Sequence, residues 1–92
     1  MTERYDLLRN QFSQRILVAD GAMGTMLQAA NPSLDDFQGL EGCNEILNLT
    51  RADLVSDIHA QYFAAGSDLV ETNTFGANLA NLAEYEIPQR IY

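Results

Sequence analysis

The sequence predicts an α/β fold in which two short parallel strands alternate with helices. The first strand is predicted at residues 16–19, an unbroken apolar run of the kind that parallel sheets bury on both faces. The second is predicted at residues 69–73, and a one-sided helical pattern separates the two runs. Strands that alternate with helices are typical of βαβ units, so we expect parallel pairing through a right-handed crossover.

Helices are predicted on both sides of the first strand. An N-terminal helix over residues 4–14 is indicated by three apolar residues at helical spacing, Tyr5, Leu8 and Phe12. Residues 21–24 are predicted to turn, and residues 25–30 to begin a second helix. Residues 31–49 are rich in Asn, Asp, Gly and Pro, which predicts a long loop. Long loops in such folds are often functional, and a passive insertion is the alternative.

The second half of the chain carries two more predicted helices. Thr50 and Asp53 resemble a capping box, and apolar residues then recur on one helix face until Gly66, where the helix is expected to end. A turn at residues 75–76 and a helix at residues 79–83 follow the second strand. Two strands alone leave both sheet edges and both faces uncovered, so we expect the chain to be the truncated beginning of a larger fold.

The composition excludes several classes of partner. All five basic residues are Arg, against thirteen acidic residues, which gives a formal net charge of −8. Nucleic acid and anionic membrane surfaces repel such a chain. The N-terminus lacks the apolar core of a signal peptide, and no apolar run approaches the roughly 18 residues of a membrane span. The single cysteine, Cys43, cannot form an internal disulfide, which indicates a cytoplasmic protein.

Polar side chains end both predicted strands. Asp20, Glu71 and Asn73 are expected at the carboxyl ends of adjacent strands, where barrel and doubly wound enzymes build their active sites. Such a group can hold a substrate ammonium, help to bind a metal, or act as acid and base. The alternative is structural: Asp20 caps the following turn, and Glu71 pairs with an Arg on a strand that these 92 residues do not include. The pattern favours neither interpretation over the other.

The turn after the first strand is a second candidate site. Gly21 and Gly24 bracket a strand-to-helix turn whose free backbone N–H groups can receive a carboxylate or a phosphate. Tight turns also need glycines for geometry alone, so the signal is weak.

The cysteine and the histidine are expected to be structural. Cys43 has no His or second Cys at ligand spacing, which indicates a passive thiol. His59 lies among apolar residues of its helix, which indicates a packed and hydrogen-bonded side chain.

Two stretches resemble the homocysteine-binding domain of cobalamin-dependent methionine synthases, the 5-methyltetrahydrofolate–homocysteine methyltransferases. Residues 16–28 read Ile-Leu-Val-Ala-Asp-Gly-Ala-Met-Gly-Thr-Met-Leu-Gln, and residues 58–76 end in Glu-Thr-Asn-Thr-Phe-Gly. The two stretches occur in the family's order and at its separation, and the resemblance extends over about residues 5–87.

The resemblance implies a (β/α)8 TIM barrel, of which this chain is the first two βα units, truncated and preceded by an N-terminal helix. Its 92 residues fall well short of the roughly 250 of a complete barrel, so residues 1–92 are expected to be the N-terminal part of the homocysteine-binding (homocysteine S-methyltransferase) domain. In the family, homocysteine lies beside zinc, which favours its nucleophilic thiolate. The thiolate takes the methyl group of methylcobalamin on another domain, and 5-methyltetrahydrofolate remethylates the cobalamin on a further one.

The resemblance also implies roles for individual residues. Seven match family positions that orient homocysteine rather than make bonds: Asp20, Gly21, Ala22, Met23, Glu71, Asn73 and Thr74. The family's zinc ligands are cysteines on later strands, expected beyond residue 92, and Cys43 matches none of them. We therefore expect the isolated chain to have no catalytic residue, to bind neither zinc nor cobalamin, and to be inactive alone.

Two alternatives stay open at this point. A cobalamin-independent homocysteine S-methyltransferase, with betaine or S-methylmethionine as methyl donor, would share the barrel and the zinc but lack cobalamin- and folate-binding regions. A small non-enzymatic interaction module would instead be complete at 92 residues.

Overall fold

The computed structural model describes residues 2–91, and the regular elements in that range are all helical. In chain order they are α1 (Thr2–Gln14), α2 (Gly24–Ala30), a 3-10 helix (Asn44–Ile46), α3 (Leu47–Thr50), α4 (Ala52–Ala64), α5 (Leu79–Glu84) and a second 3-10 helix (Pro88–Ile91). The four helices predicted from the sequence are confirmed as α1, α2, α4 and α5, with small differences at their ends.

The predicted α/β fold is wrong. In the part of the chain that the structure describes, neither residues 16–20 nor residues 69–73 form a β-strand, and there is no sheet. Among the described residues, the β-pairing between the two segments is limited to an isolated parallel bridge between Ala19 and Leu69. The described residues therefore do not form two βα units of a TIM barrel preceded by a helix. They form a helical structure with one parallel backbone contact.

Side chains replace the hydrogen bonds that a longer strand pair would make. Before the bridge, the backbone N–H of Val18 donates to the Asp68 carboxylate at 2.9 Å. After it, the backbone N–H of Glu71 donates to the Asp20 carboxylate at 3.1 Å. The apolar run that was predicted to be buried is open to solvent, with Ile16 88% exposed. Because neither segment has a further strand beside it in residues 2–91, the pairing stops at one bridge.

The core consists of two apolar clusters. The first joins α2, α3 and α4 through four buried residues: Leu27, Leu47, Val55 and Ile58. The second joins the first 3-10 helix to α5 through Cys43, Ile46 and Leu82. Phe37 packs against both clusters, so the segment at residues 31–49 helps to build the core. A passive insertion is thereby excluded.

The start of α4 lacks the predicted capping box. Arg51 occupies the N-cap position without a side-chain cap, and the Thr50 hydroxyl donates instead to the backbone oxygen of Asp36, with the Ile46 backbone oxygen 3.4 Å away. Arg51 pairs with Asp36 at 3.0 Å and with Asp53 at 2.9 Å. The hydrogen bond from Arg51 lowers the pKa of Asp53. These contacts hold the preceding loop against the start of α4.

The N-terminal helix α1 lies on the surface and buries none of its residues. An ion pair between Arg15, which follows α1, and Asp68 joins α1 to the bridge region at 3.1 Å.

The radius of gyration is 15.6 Å, against about 12 Å for a compact domain of this length. The helices within residues 2–91 include none that could span a lipid bilayer.

Candidate functional site

A polar cleft of about 390 Å³ lies beside the parallel bridge. Its walls are residues 20–24 and residues 71–75, together with Asn44 and Glu45. All seven residues that the family resemblance implies for homocysteine line it: Asp20, Gly21, Ala22, Met23, Glu71, Asn73 and Thr74. The fold therefore brings the two candidate segments around one cavity, although they are not strands. Their contact with a substrate stays a prediction.

Asp20 fixes the two walls of the cleft to each other. Its backbone N–H donates to the Leu69 oxygen at 3.0 Å, and its carboxylate accepts from the Glu71 N–H at 3.1 Å. Asp20 thus has a structural role and lines the cleft as well. The Glu71 side chain is exposed at the cleft and forms no ion pair within residues 2–91.

The glycine turn is held against α4. The Tyr62 hydroxyl on α4 donates to the backbone oxygen of Ala22 at 2.6 Å. A side chain at Gly21 would place its Cβ 3.3 Å from the same hydroxyl oxygen, so a glycine here allows the close approach. Met23 occupies the N-cap position of the short helix α2. Its side chain makes no hydrogen bond to the first backbone N–H groups of that helix.

Asn73 is the buried residue of the opposite wall, with 7% of its surface exposed. Its amide nitrogen donates to the Asn44 backbone oxygen at 2.9 Å and to the Asn48 side-chain oxygen at 3.2 Å. The Asn48 amide nitrogen donates back to the Asn73 backbone oxygen at 2.7 Å. The neighbouring Thr72 and Thr74 are exposed, and their hydroxyl oxygens are 2.7 Å apart. The Asn73 side chain is therefore bound to the protein interior, while Thr72 and Thr74 on either side of it are exposed to solvent.

Sequence reasoning missed Thr72 and Phe75 of the second wall, and it missed both cleft residues that lie outside the two walls, Asn44 and Glu45. Both come from the segment that was predicted to be a loop. The Glu45 carboxylate accepts from the Gly76 backbone N–H at 3.0 Å, while the Asn81 amide donates to the Gly76 oxygen at 2.8 Å. Only the length of the loop hinted at a function, because no motif marks either residue.

The cleft is acidic. Three carboxylates line it, those of Asp20, Glu45 and Glu71, and no Arg is among the lining residues. Arg15 and Arg51 form ion pairs elsewhere. Carboxylates in a partly enclosed cavity attract a cationic group, so the cleft is suited to an ammonium. Within the described range, no group of three or more His, Cys, Asp or Glu side chains is arranged to hold a metal ion.

Cys43 and His59 lie outside the cleft. Cys43 is completely buried in the second core cluster, and burial raises the pKa of its thiol, which disfavours the reactive thiolate. The buried Nδ1 atom of His59 has no hydrogen-bond partner among the described residues, so the hydrogen bond expected for this histidine is missing at that nitrogen.

The sequence is similar to proteins of one known family. Residues 17–92 match the model of the family described as homocysteine S-methyltransferase. The chain is 65% identical over 86 residues to a protein named methionine synthase from Mycobacterium tuberculosis, and 63% identical to one from Mycobacterium leprae. Each match covers 94% of this chain but only 7% of the relative's length. No solved structure gives a significant match.

Proposed function

The chain belongs to the homocysteine S-methyltransferase family, and we propose that it forms part of the homocysteine pocket of a methionine synthase. The observation that carries the proposal is the single acidic cleft lined by all seven expected residues. The cleft adds a physical reason to the family match, because an amino-acid substrate brings an ammonium that carboxylates can hold.

Asp20 and Glu71 are the proposed partners of the substrate ammonium. Both residues line the cleft, and the hydrogen bond from the Glu71 backbone N–H to the Asp20 carboxylate holds the two walls together. The backbone N–H groups of Gly21, Ala22 and Met23 and the hydroxyl of Thr74 belong to the same two walls and are the proposed donors to the substrate carboxylate. These groups orient the substrate and take no part in bond making.

The complete polypeptide is proposed to transfer a methyl group from methylcobalamin to homocysteine, which gives methionine, with 5-methyltetrahydrofolate as the source of the next methyl group. Cobalamin- and folate-binding domains of the same polypeptide are the proposed partners. The cytoplasm is the proposed location, in line with a single unpaired cysteine.

The described residues do not fit the zinc ion that the family implies. Cys43 is completely buried, and residues 2–91 contain no group of three or more His, Cys, Asp or Glu side chains that could hold a metal ion. A zinc-bound thiolate needs several protein ligands around an open position. We therefore assign zinc to other regions of the longer polypeptide and derive no step through it from this chain.

A methyl-transfer assay tests the proposal. The complete polypeptide that carries this chain is expected to methylate homocysteine when methylcobalamin is supplied, and residues 1–92 alone are expected to be inactive. Betaine and S-methylmethionine serve as competing donors in parallel reactions. Methylation from either of them without cobalamin would contradict the proposed donor, and no methylation from any donor would contradict the function.

A further inference from the structure

We propose that Asn48 is a positioning residue that holds the substrate-binding wall at residues 71–76 in place from behind the cleft. The inference rests on the proposed function and concerns how the pocket is kept in shape. Asn48 does not line the cleft, and it lies on α3, which sequence reasoning left inside a loop.

The side chains of Asn48 and Asn73 form a reciprocal pair. The Asn48 nitrogen donates to the Asn73 backbone oxygen at 2.7 Å, and the Asn73 nitrogen donates to the Asn48 side-chain oxygen at 3.2 Å. Both partners are at least partly buried, so each donor or acceptor that lost its partner would be left poorly solvated. One side chain thus fixes both the backbone and the side chain of Asn73.

The position of Asn48 is itself set by the core. Its neighbour Leu47 is completely buried in the first core cluster, and Ile46 is buried in the second. Glu45, on the same short stretch, binds the Gly76 backbone at 3.0 Å. The 71–76 wall is therefore attached near its middle and at its end to a stretch anchored in both clusters.

This attachment determines what faces the cleft. Asn73 is the central residue of a tight turn in which the Thr74 backbone N–H donates to the Thr72 backbone oxygen at 2.9 Å, and Thr72 and Thr74 on either side of it are exposed while Asn73 is buried. Both threonines are exposed and line the cleft together with Glu71. Release of Asn73 would let these groups move away from the positions at which they meet the substrate, which lowers affinity for homocysteine without removing a bond-making group.

The test is a steady-state comparison in the complete polypeptide. Asn48→Ala is expected to raise the KM for homocysteine about tenfold, the size of one or two net hydrogen bonds, with kcat changed less than about twofold. The KM for the methyl donor should not change. Asn10→Ala is the matched control, because Asn10 is an exposed asparagine that accepts a hydrogen bond within α1. If the alanine variant does not fold, Asn48→Asp replaces it in the test, because aspartate has nearly the same side-chain volume and lacks the nitrogen that donates to Asn73.

A double-mutant cycle with Asn73→Ala completes the test. The two changes break the same pair, so the double variant is expected to be no worse than the more impaired single variant. An unchanged KM in both Asn48 variants, equal rises in both KM values, or additive effects would overturn the inference. A wild-type polypeptide that does not methylate homocysteine would instead contradict the proposed function.

Discussion

The carboxylate of Asp20 accepts a hydrogen bond from the backbone N–H of Glu71, across 51 positions of sequence, at 3.1 Å. The bond follows the parallel bridge at Ala19 and Leu69 and ties together the two walls of the acidic cleft. One acidic residue of the candidate site therefore positions the other. Different substitutions at Asp20 distinguish the effect of its negative charge on substrate binding from the effect of its hydrogen bond to Glu71.

Asp20→Asn retains an oxygen that can accept from Glu71 but removes the charge. We expect it to raise the KM for homocysteine about tenfold in the complete polypeptide, because a charged partner of the ammonium is lost. Asp20→Ala should raise the KM at least as much and also lower the free energy of unfolding of the chain by about 1 kcal/mol. Glu84→Gln, an exposed change on α5, is the control. Equal KM values for the asparagine variant and the wild type would exclude Asp20 from substrate binding.

Gly76→Ala is expected to destabilise the chain. A Cβ at this position would lie 2.5 Å from the Asn81 amide nitrogen and 3.1 Å from a Glu45 carboxylate oxygen, so the surroundings must shift. The two side chains that must move are bound to the Gly76 backbone, and losing both hydrogen bonds costs about 1–3 kcal/mol. Urea unfolding followed by circular dichroism measures the change.

Gly24→Ala provides the matched control for that experiment, since its Cβ would meet its nearest neighbour at 3.9 Å. We expect no loss of stability from it. If both alanine variants unfold at the same urea concentration, a side chain at position 76 is accommodated without loss of stability and the prediction is wrong.

The pH dependence of stability should include a contribution from Asp68. The backbone N–H of Val18, and then Arg15, lower the pKa of Asp68 below its usual 3.8. A lowered carboxyl pKa stabilises the folded chain above about pH 4 and ceases to do so as the pH falls through the folded-state value. Asp68→Asn should therefore unfold more easily than the wild type at pH 7, and the difference should shrink near pH 3.

Asp6→Asn, on the exposed α1, controls for the loss of one negative charge. Urea midpoints of the three proteins at both pH values provide the comparison. A gap between wild type and Asp68→Asn that stays the same at both pH values would show that ionisation of Asp68 does not contribute.

Cys43 should be unreactive in the folded chain. It is completely buried, so a reagent cannot reach its sulfur. Burial also raises the pKa of the thiol, so little of the reactive thiolate is present. The rate of modification by a disulfide reagent is expected to rise with urea in step with the loss of helical signal. Rapid modification before any unfolding would mean that the second core cluster opens on its own.

The helices could be predicted because their apolar residues recur at helical spacing, as in α4, where Val55 and Ile58 are buried. The strands could not be predicted in the same way. The apolar run at residues 16–19 is typical of a strand buried on both faces, but the run does not show whether helices or strands are present to cover those faces. In this structure Ile16 and Val18 remain exposed. Local pattern therefore predicted local structure and failed where the outcome depended on tertiary partners.

The candidate site was predicted in part. The cleft contains all seven expected residues, from Asp20 to Thr74, because the motifs around the two segments are distinctive. Asn44, Glu45 and Asn48 were missed, since their role depends on contacts with residues 25 or more positions away. Nothing in their local sequence distinguishes them from ordinary polar loop residues.

The contribution of residues 31–49 to both core clusters limits how this chain can be simplified. Shortening the segment, a usual first step towards a minimal domain, would remove Cys43, Ile46 and Leu47 together with the attachment of the cleft wall. Selection for a smaller version should therefore keep this stretch and delete from α1, which buries nothing.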